Sequence, residues 1–143
     1  QLFTQRNYQI NYYELQQEFG YQFNTDFKTS VLFSLKQQNN APTLGGEKTT
    51  NAKFGSEIRY NILKKGTLSA QFNFINNGFD GQNNTAISYE LLDGLQPGKN
   101  LTWTGSFQRT IANGIQLNFT YEGRKSNQVN TIHTGGLQVR AYF

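Results

Sequence analysis

Glu57 and Arg59, and likewise Glu122 and Arg124, are acid–base pairs at two-residue spacing, and Arg140 stands alone. Residues two apart on an extended chain share a face, so each pair sets an acid beside a base on one side of a sheet. Such a set can line a charged constriction that selects solutes or grips a plug, or it can be ion-paired filler. The single histidine, His133, raises a second chemistry. Near Ser126 and Thr131 it could activate a hydroxyl for lipid hydrolysis at a membrane rim. It occupies the apolar phase of its strand, so a rim histidine at headgroup level is the simpler expectation. No other histidine exists to act as a general base near neutral pH. With no cysteine in the chain, disulfides, thiolate metal sites and cysteine nucleophiles are excluded, and one histidine rules out a multi-histidine metal site. Gly45-Gly46 and Asp80-Gly81 are turn signals too isolated to cradle a phosphate. The expectation is a non-enzyme with no cofactor and no metal.

The elements that carry these residues follow from period-two alternation over nearly the whole chain. From Ile115 onward, Leu117, Phe119 and Tyr121 alternate with Gln116, Asn118, Thr120 and Glu122. Leu101, Trp103 and Phe107 alternate with Thr102, Thr104, Ser106 and Gln108. Phe54, Ile58 and Tyr60 face away from Lys53, Glu57, Arg59 and Asn61, and Phe72 and Phe74 away from Gln71 and Asn73. Similar runs cover Phe27–Leu35 and Leu15–Phe23, and a last strand carries Leu137 and Val139. Helix is a reasonable reading only for Tyr89 to Leu95. The fold class is therefore all-β and antiparallel.

Connections sort by length. Paired strands whose apolar faces match need an odd connection, which Asn24-Thr25-Asp26 and Ala112-Asn113-Gly114 supply. Gly114 suits the left-handed place in a three-residue loop. Residues 63–67 make a third short link, with Lys64-Lys65 as a solvated tip. The others, about 38–49, 76–98 and 125–130, are longer. Short links on one rim and long ones on the other are the pattern of an outer-membrane barrel. The strands, about 10 residues or more, match the roughly 9–11 that a tilted strand needs to cross a bilayer.

Composition agrees on which face is greasy. Charged residues are only 15% of the chain, whereas a soluble surface carries about 25–35%. The polar face is instead built from Gln, Asn, Ser and Thr. Aromatic residues reach 15%, too many for a disordered chain, and suit belts at membrane rims. The expected arrangement puts lipid against Phe54, Ile58, Phe72, Phe74, Trp103, Phe107, Leu117, Phe119, Tyr121, Leu137 and Val139. A wet lumen would meet Glu57, Arg59, Glu122, Arg124 and Arg140. No apolar run approaches the roughly 18 residues of a membrane helix. A net charge of +4 is mild for 143 residues and gives no reason to expect nucleic acid.

The chain ends Leu137-Gln138-Val139-Arg140-Ala141-Tyr142-Phe143. A terminal aromatic preceded by Leu137, Val139 and Ala141 at alternate places resembles the C-terminal signal of Gram-negative outer-membrane barrels. The resemblance implies recognition by the barrel assembly machinery and residence in the bacterial outer membrane, against the bilayer and lipopolysaccharide. Tyr89 to Asn100, then Tyr121 to Ser126, is similar to the tail of large outer-membrane proteins of Bacteroidota, though not to the glycan importers driven by TonB. That similarity implies lineage and location, with other outer-membrane subunits or lipoproteins as partners.

The alternation yields seven strands. It slips by one at Tyr12-Tyr13 without a turn residue, which predicts one long strand from about Gln5 to Phe23 with a β-bulge at the slip. Bacterial single-chain barrels have even strand numbers from eight upward. Seven strands and a first residue that is not Met therefore suggest the C-terminal part of a larger barrel, in transport, secretion or scaffolding of a surface complex. The alternative is a small closed barrel of eight strands with 1–12 as the first, binding a ligand or partner through its loops. A lipid hydrolase at the rim is the remote third.

Overall fold

The computed structural model describes residues 8–62, 65–112, 114–127 and 129–142. Its strands are β1 (Ile10–Gln22), β2 (Phe27–Asn40), β3 (Lys48–Ile62), β4 (Gly66–Asp80), β5 (Gly98–Ala112), β6 (Ile115–Ser126) and β7 (Val129–Ala141). One short helix, α1 (Ala86–Leu91), lies between β4 and β5. All seven strands join one sheet in chain order, each antiparallel to the next. The sheet is open, with β1 and β7 as its two edges. No helix among the described residues is long and apolar enough to cross a membrane.

The short links fall where the residues predict but with shifted bounds, 23–26, 63–65 and 113–114, since Gly66 and Thr67 belong to β4 and Ala112 to β5. Asn24 Oδ1 accepts from the amides of Asp26 (2.9 Å) and Phe27 (2.8 Å), closing an Asx turn between β1 and β2. Gly114 takes φ +79°, the left-handed conformation its place requires.

Through the middle of the sheet the register keeps side-chain alternation in step from strand to strand. One row across the apolar face reads Phe19, Val31, Ser56, Phe72, Trp103, Gly123, His133. The adjacent polar row reads Gly20, Ser30, Glu57, Gln71, Thr104, Glu122, Thr134.

Burial is inverted relative to a water-soluble sheet. The buried polar strand residues, Ser34, Gln38, Asn40, Thr49, Asn73, Asn77 and Asn100, all lie on the polar face. On the apolar face Phe54, Phe72, Phe74, Phe119, Leu137 and Val139 are exposed, Phe72 at 52% and Leu137 at 68%. Space follows the same rule. A Cβ on Gly55, on the polar face, would lie 2.8 Å from Asn73 Oδ1, whereas one on Gly105, on the apolar face, would meet nothing within 4 Å. Side chains thus converge on the polar side and diverge on the other, as in a sheet curved toward its polar face.

Several boundaries differ from expectation. The longer connections are 41–47, 81–97 and 127–128, all shorter than the alternation suggests. The strands continue past their last apolar residue because amide and hydroxyl side chains take over the cross-strand contacts. Asn51 Nδ2, for example, donates to Asn77 Oδ1 at 2.6 Å. Between β6 and β7 only residues 127–128 remain, so short and long connections do not strictly alternate. No bulge occurs at Tyr12-Tyr13; β1 pairs with β2 unbroken from Ile10↔Asn40 to Gln22↔Lys28. Tyr12 simply faces the polar side, where the Lys36 ammonium lies 5.6 Å from its ring centroid, a favourable cation–π placement. The start of the expected long strand, at Gln5, lies outside the described residues. Ile10–Tyr12, which the eight-stranded alternative assigned to a separate first strand, belong to β1. The irregularities fall near strand ends instead, between Thr110 and Ala112 and between Arg124 and Ser126.

Candidate functional site

The candidate site is the polar face together with the segment that folds over it. All five charged residues singled out from the sequence lie on that face. Glu122 pairs with Thr104 and Arg124 with Thr102, the expected register. Glu57 shares the Glu122 row, and Arg140 pairs with Gln116 toward the end with the shorter turns. None of the five forms an ion pair within 4 Å among the described residues. Their charges are left to polarise whatever lies against the face.

Two further charges complete the β1–β3 end. Glu18 and Lys28 line a cleft with Ser30, Glu57 and Arg59. Lys28 and Arg59 are direct cross-strand partners, a like-charge arrangement that is unfavourable by itself and is offset by Glu18 and Glu57 beside it. Alternation marks Glu18 and Lys28 as polar-face residues, but only the cross-strand register shows that they join Glu57 and Arg59. Elsewhere the face is tied by hydroxyls and amides: Ser34 Oγ donates to Glu14 Oε1 at 3.0 Å and Asn73 Nδ2 to Thr102 Oγ1 at 3.2 Å. Ser69 and Ser106 hydroxyls meet at 2.6 Å.

The β4–β5 segment, residues 81–97, crosses this face as a strap. Thr85 caps α1, its Oγ1 accepting from Ser88 N (3.1 Å) while Ser88 Oγ accepts from Thr85 N (2.9 Å), a reciprocal capping box. That cap starts the helix earlier than the expected Tyr89 to Leu95. Asp93 and Gly94, at φ 52° and 71°, then turn the chain. Leu91 and Leu92 are 1% and 4% exposed, and with Ile75 they are the buried hydrophobic residues among those described. Burying each leucine is worth about 1.5–3 kcal/mol. Polar contacts fix the path. With the Gln38 amide turned to satisfy both neighbours, its Nε2 donates to Leu91 O and its Oε1 accepts from Lys36 Nζ, both at 2.8 Å. Lys36 Nζ also lies 3.9 Å from Asp93 Oδ2. Asn77 Nδ2 donates to Gln96 O at 3.3 Å. Asn100, 1% exposed, clamps the far end: its Nδ2 donates to Gln96 O (2.7 Å) and Gly98 O (3.0 Å), and its Oδ1 accepts from Gln96 N (3.3 Å) and Ser126 Oγ (2.6 Å).

The apolar face carries the residues expected to meet lipid. Phe54, Ile58, Phe72, Phe74, Phe119, Tyr121, Leu137 and Val139 are exposed there, and Trp103, Phe107 and Leu117 are partly covered. The Trp103 indole lies over Gly123, filling the space where that residue has no side chain. His133 stacks on Tyr121 at 6.0 Å between centroids, and its Nδ1 is 2.7 Å from the Tyr121 hydroxyl. Ser126 faces the opposite side, with its hydroxyl bound to Asn100, so the histidine–serine pair raised by the sequence is not assembled. Leu137, Val139 and Ala141 pair with Phe119, Leu117 and Ile115 on the apolar face; Phe143 lies outside the described residues. No cluster of three potential metal ligands occurs among the described residues.

No protein-family model matches the chain, and the searches of curated proteins and of solved structures return no match either.

Proposed function

We propose that this chain forms part of the wall of a bacterial outer-membrane β-barrel, with lipid on its apolar face and a polar interior that passes solutes. The observation that carries the reading is the inverted burial: exposed Phe, Leu, Ile and Val on one face, buried Asn, Ser and Thr on the other. In water, apolar surface of this extent is unfavourable by about 25 cal/mol per Å², and exposed patches beyond a few hundred Å² mark an interaction surface. Lipid removes that cost. Strands of 12 to 15 residues are long enough to cross a bilayer with a tilt.

Direction of the strands supports a larger barrel. In seven consecutive antiparallel strands, β1 and β7 run the same way, so they cannot pair antiparallel with each other. A rotated second copy meets the same obstacle at each seam. Antiparallel closure requires an odd number of further strands, which makes the total even, as in bacterial barrels. Those strands would also satisfy the open edges, where every unpaired backbone group in lipid costs several kcal/mol. Transport is favoured over secretion or scaffolding because Glu57, Arg59, Glu122, Arg124 and Arg140 on the polar face form no ion pair within 4 Å among the described residues and hydroxyls surround them. Barrel assembly machinery and lipopolysaccharide are the partners this reading entails.

Fractionation of cells that carry the native polypeptide tests it. The polypeptide should partition with outer membranes, resist alkaline carbonate extraction and change electrophoretic mobility on heating. A native mass well above 16 kDa is expected for a larger barrel. Recovery in the soluble fraction would contradict the reading and indicate a second sheet packed on the apolar face.

A further inference from the structure

We infer that the 81–97 strap is a constriction that sets the size of the polar solutes admitted along this face, which prefers those of low net charge. This rests on the barrel reading above. A loop serving as an external docking site would project from the rim and present its apolar residues outward. This one does the reverse. It turns Leu91 and Leu92 into burial and reaches across the polar face from β2, through the Gln38 and Lys36 contacts, past Asn77 on β4. Next to the clamp at Asn100, Leu95 and Ile132, with Trp103, form the apolar lining of a cleft of about 310 Å³ whose polar residues are Thr102, Thr104, Glu122, Arg124 and Thr134.

That cleft defines the preference. Three threonine hydroxyls offer donors and acceptors to a polar solute. Glu122 and Arg124, on one strand face two residues apart and about 6.6 Å along the chain, oppose each other in sign, so neither a cation nor an anion is favoured at that level. The strap is held by side chains of the polar face (Gln38, Lys36, Asn77 and Asn100) and by two leucines, not by the backbone pairing of the strands, so the strand ladder does not depend on it. Asn77 and Gly98, near the strap's two ends, are already cross-strand partners, and a short Gly-Ser turn can replace residues 82–96.

The experiment uses the full native polypeptide reconstituted in liposomes, with swelling rates measured for arabinose, sucrose and raffinose. Two variants are compared with it: the strap excision, and the double substitution Leu91→Asp/Leu92→Asp, which opposes burial while keeping chain length. Both should raise raffinose influx about tenfold while changing arabinose influx little, since pore width governs the larger sugar most. Identical sugar profiles for all three, with heat-modifiable barrels in each, would overturn the constriction and leave the barrel reading intact. Absence of influx through any inserted form would also overturn it, because the passage would then be blocked elsewhere. Failure of the native polypeptide to insert would overturn the barrel reading itself.

Discussion

Phe72→Arg should lower the stability of the lipid-inserted protein by about 2–4 kcal/mol, the cost of a cation on the lipid face near the bilayer midplane. Phe72 lies near the middle of β4 and is 52% exposed. In water, arginine at so open a position would be tolerated within about 0.5 kcal/mol, so the size of the loss separates the two settings. The neighbouring change Gln71→Arg provides the contrast. Gln71 faces the polar side and pairs with Glu57 and Thr104, so a cation there gains an acidic neighbour and should cost little. Denaturant unfolding from liposomes measures both. Equal, small effects at the two positions would contradict the assignment of faces.

Asn100→Leu should be the most damaging change on the polar face. Four hydrogen bonds converge on this one buried amide. A leucine of similar volume leaves Ser126 Oγ, the Gln96 amide and the Gly98 carbonyl without this partner, and the Gln96 carbonyl with only the longer bond from Asn77. At about 1–3 kcal/mol for a buried group left unsatisfied, and with partial relaxation, the loss should be on the order of 3 kcal/mol. Hydrogen exchange should accelerate most at residues 94–98, where the strap rejoins β5. Asn100→Asp keeps both acceptor contacts but loses the two donated bonds, and should fall between. Unchanged exchange in the strap for Asn100→Leu would show that Asn100 is not its clamp.

Much of this architecture was legible in the residues alone, for a definite reason. Each strand has one mainly apolar face, so Leu117-Phe119-Tyr121 or Phe72-Phe74 declares its orientation, and the odd link Asn24-Thr25-Asp26 carries that orientation across its hairpin, whereas between β6 and β7 a register shift near Arg124 and Ser126 does so. The placement of Glu57, Arg59, Glu122, Arg124 and Arg140 on one face follows from the same parity. Strand ends were illegible because Asn39, Thr49, Asn76 and Asn77 extend the ladder with residues that alternation reads as loop. Tyr12 looked like a slip because an aromatic ring on the polar face breaks the pattern, and its Lys36 partner is distant in sequence. The strap was illegible for a related reason. Its path depends on single atoms of Lys36, Gln38 and Asn77, none of which carries a periodic signal. That the charged residues stay unpaired depends on distances between strands, which spacing along one strand does not encode.

The most direct test of the central claim, that lipid covers the apolar face, uses Trp103. The native protein is reconstituted in vesicles whose acyl chains carry bromine, and the fluorescence assigned to Trp103 is taken as the difference from a Trp103→Phe variant. The account predicts strong quenching by the brominated chains and weak quenching by aqueous acrylamide. Strong quenching by acrylamide with none from the lipid bromines would contradict it.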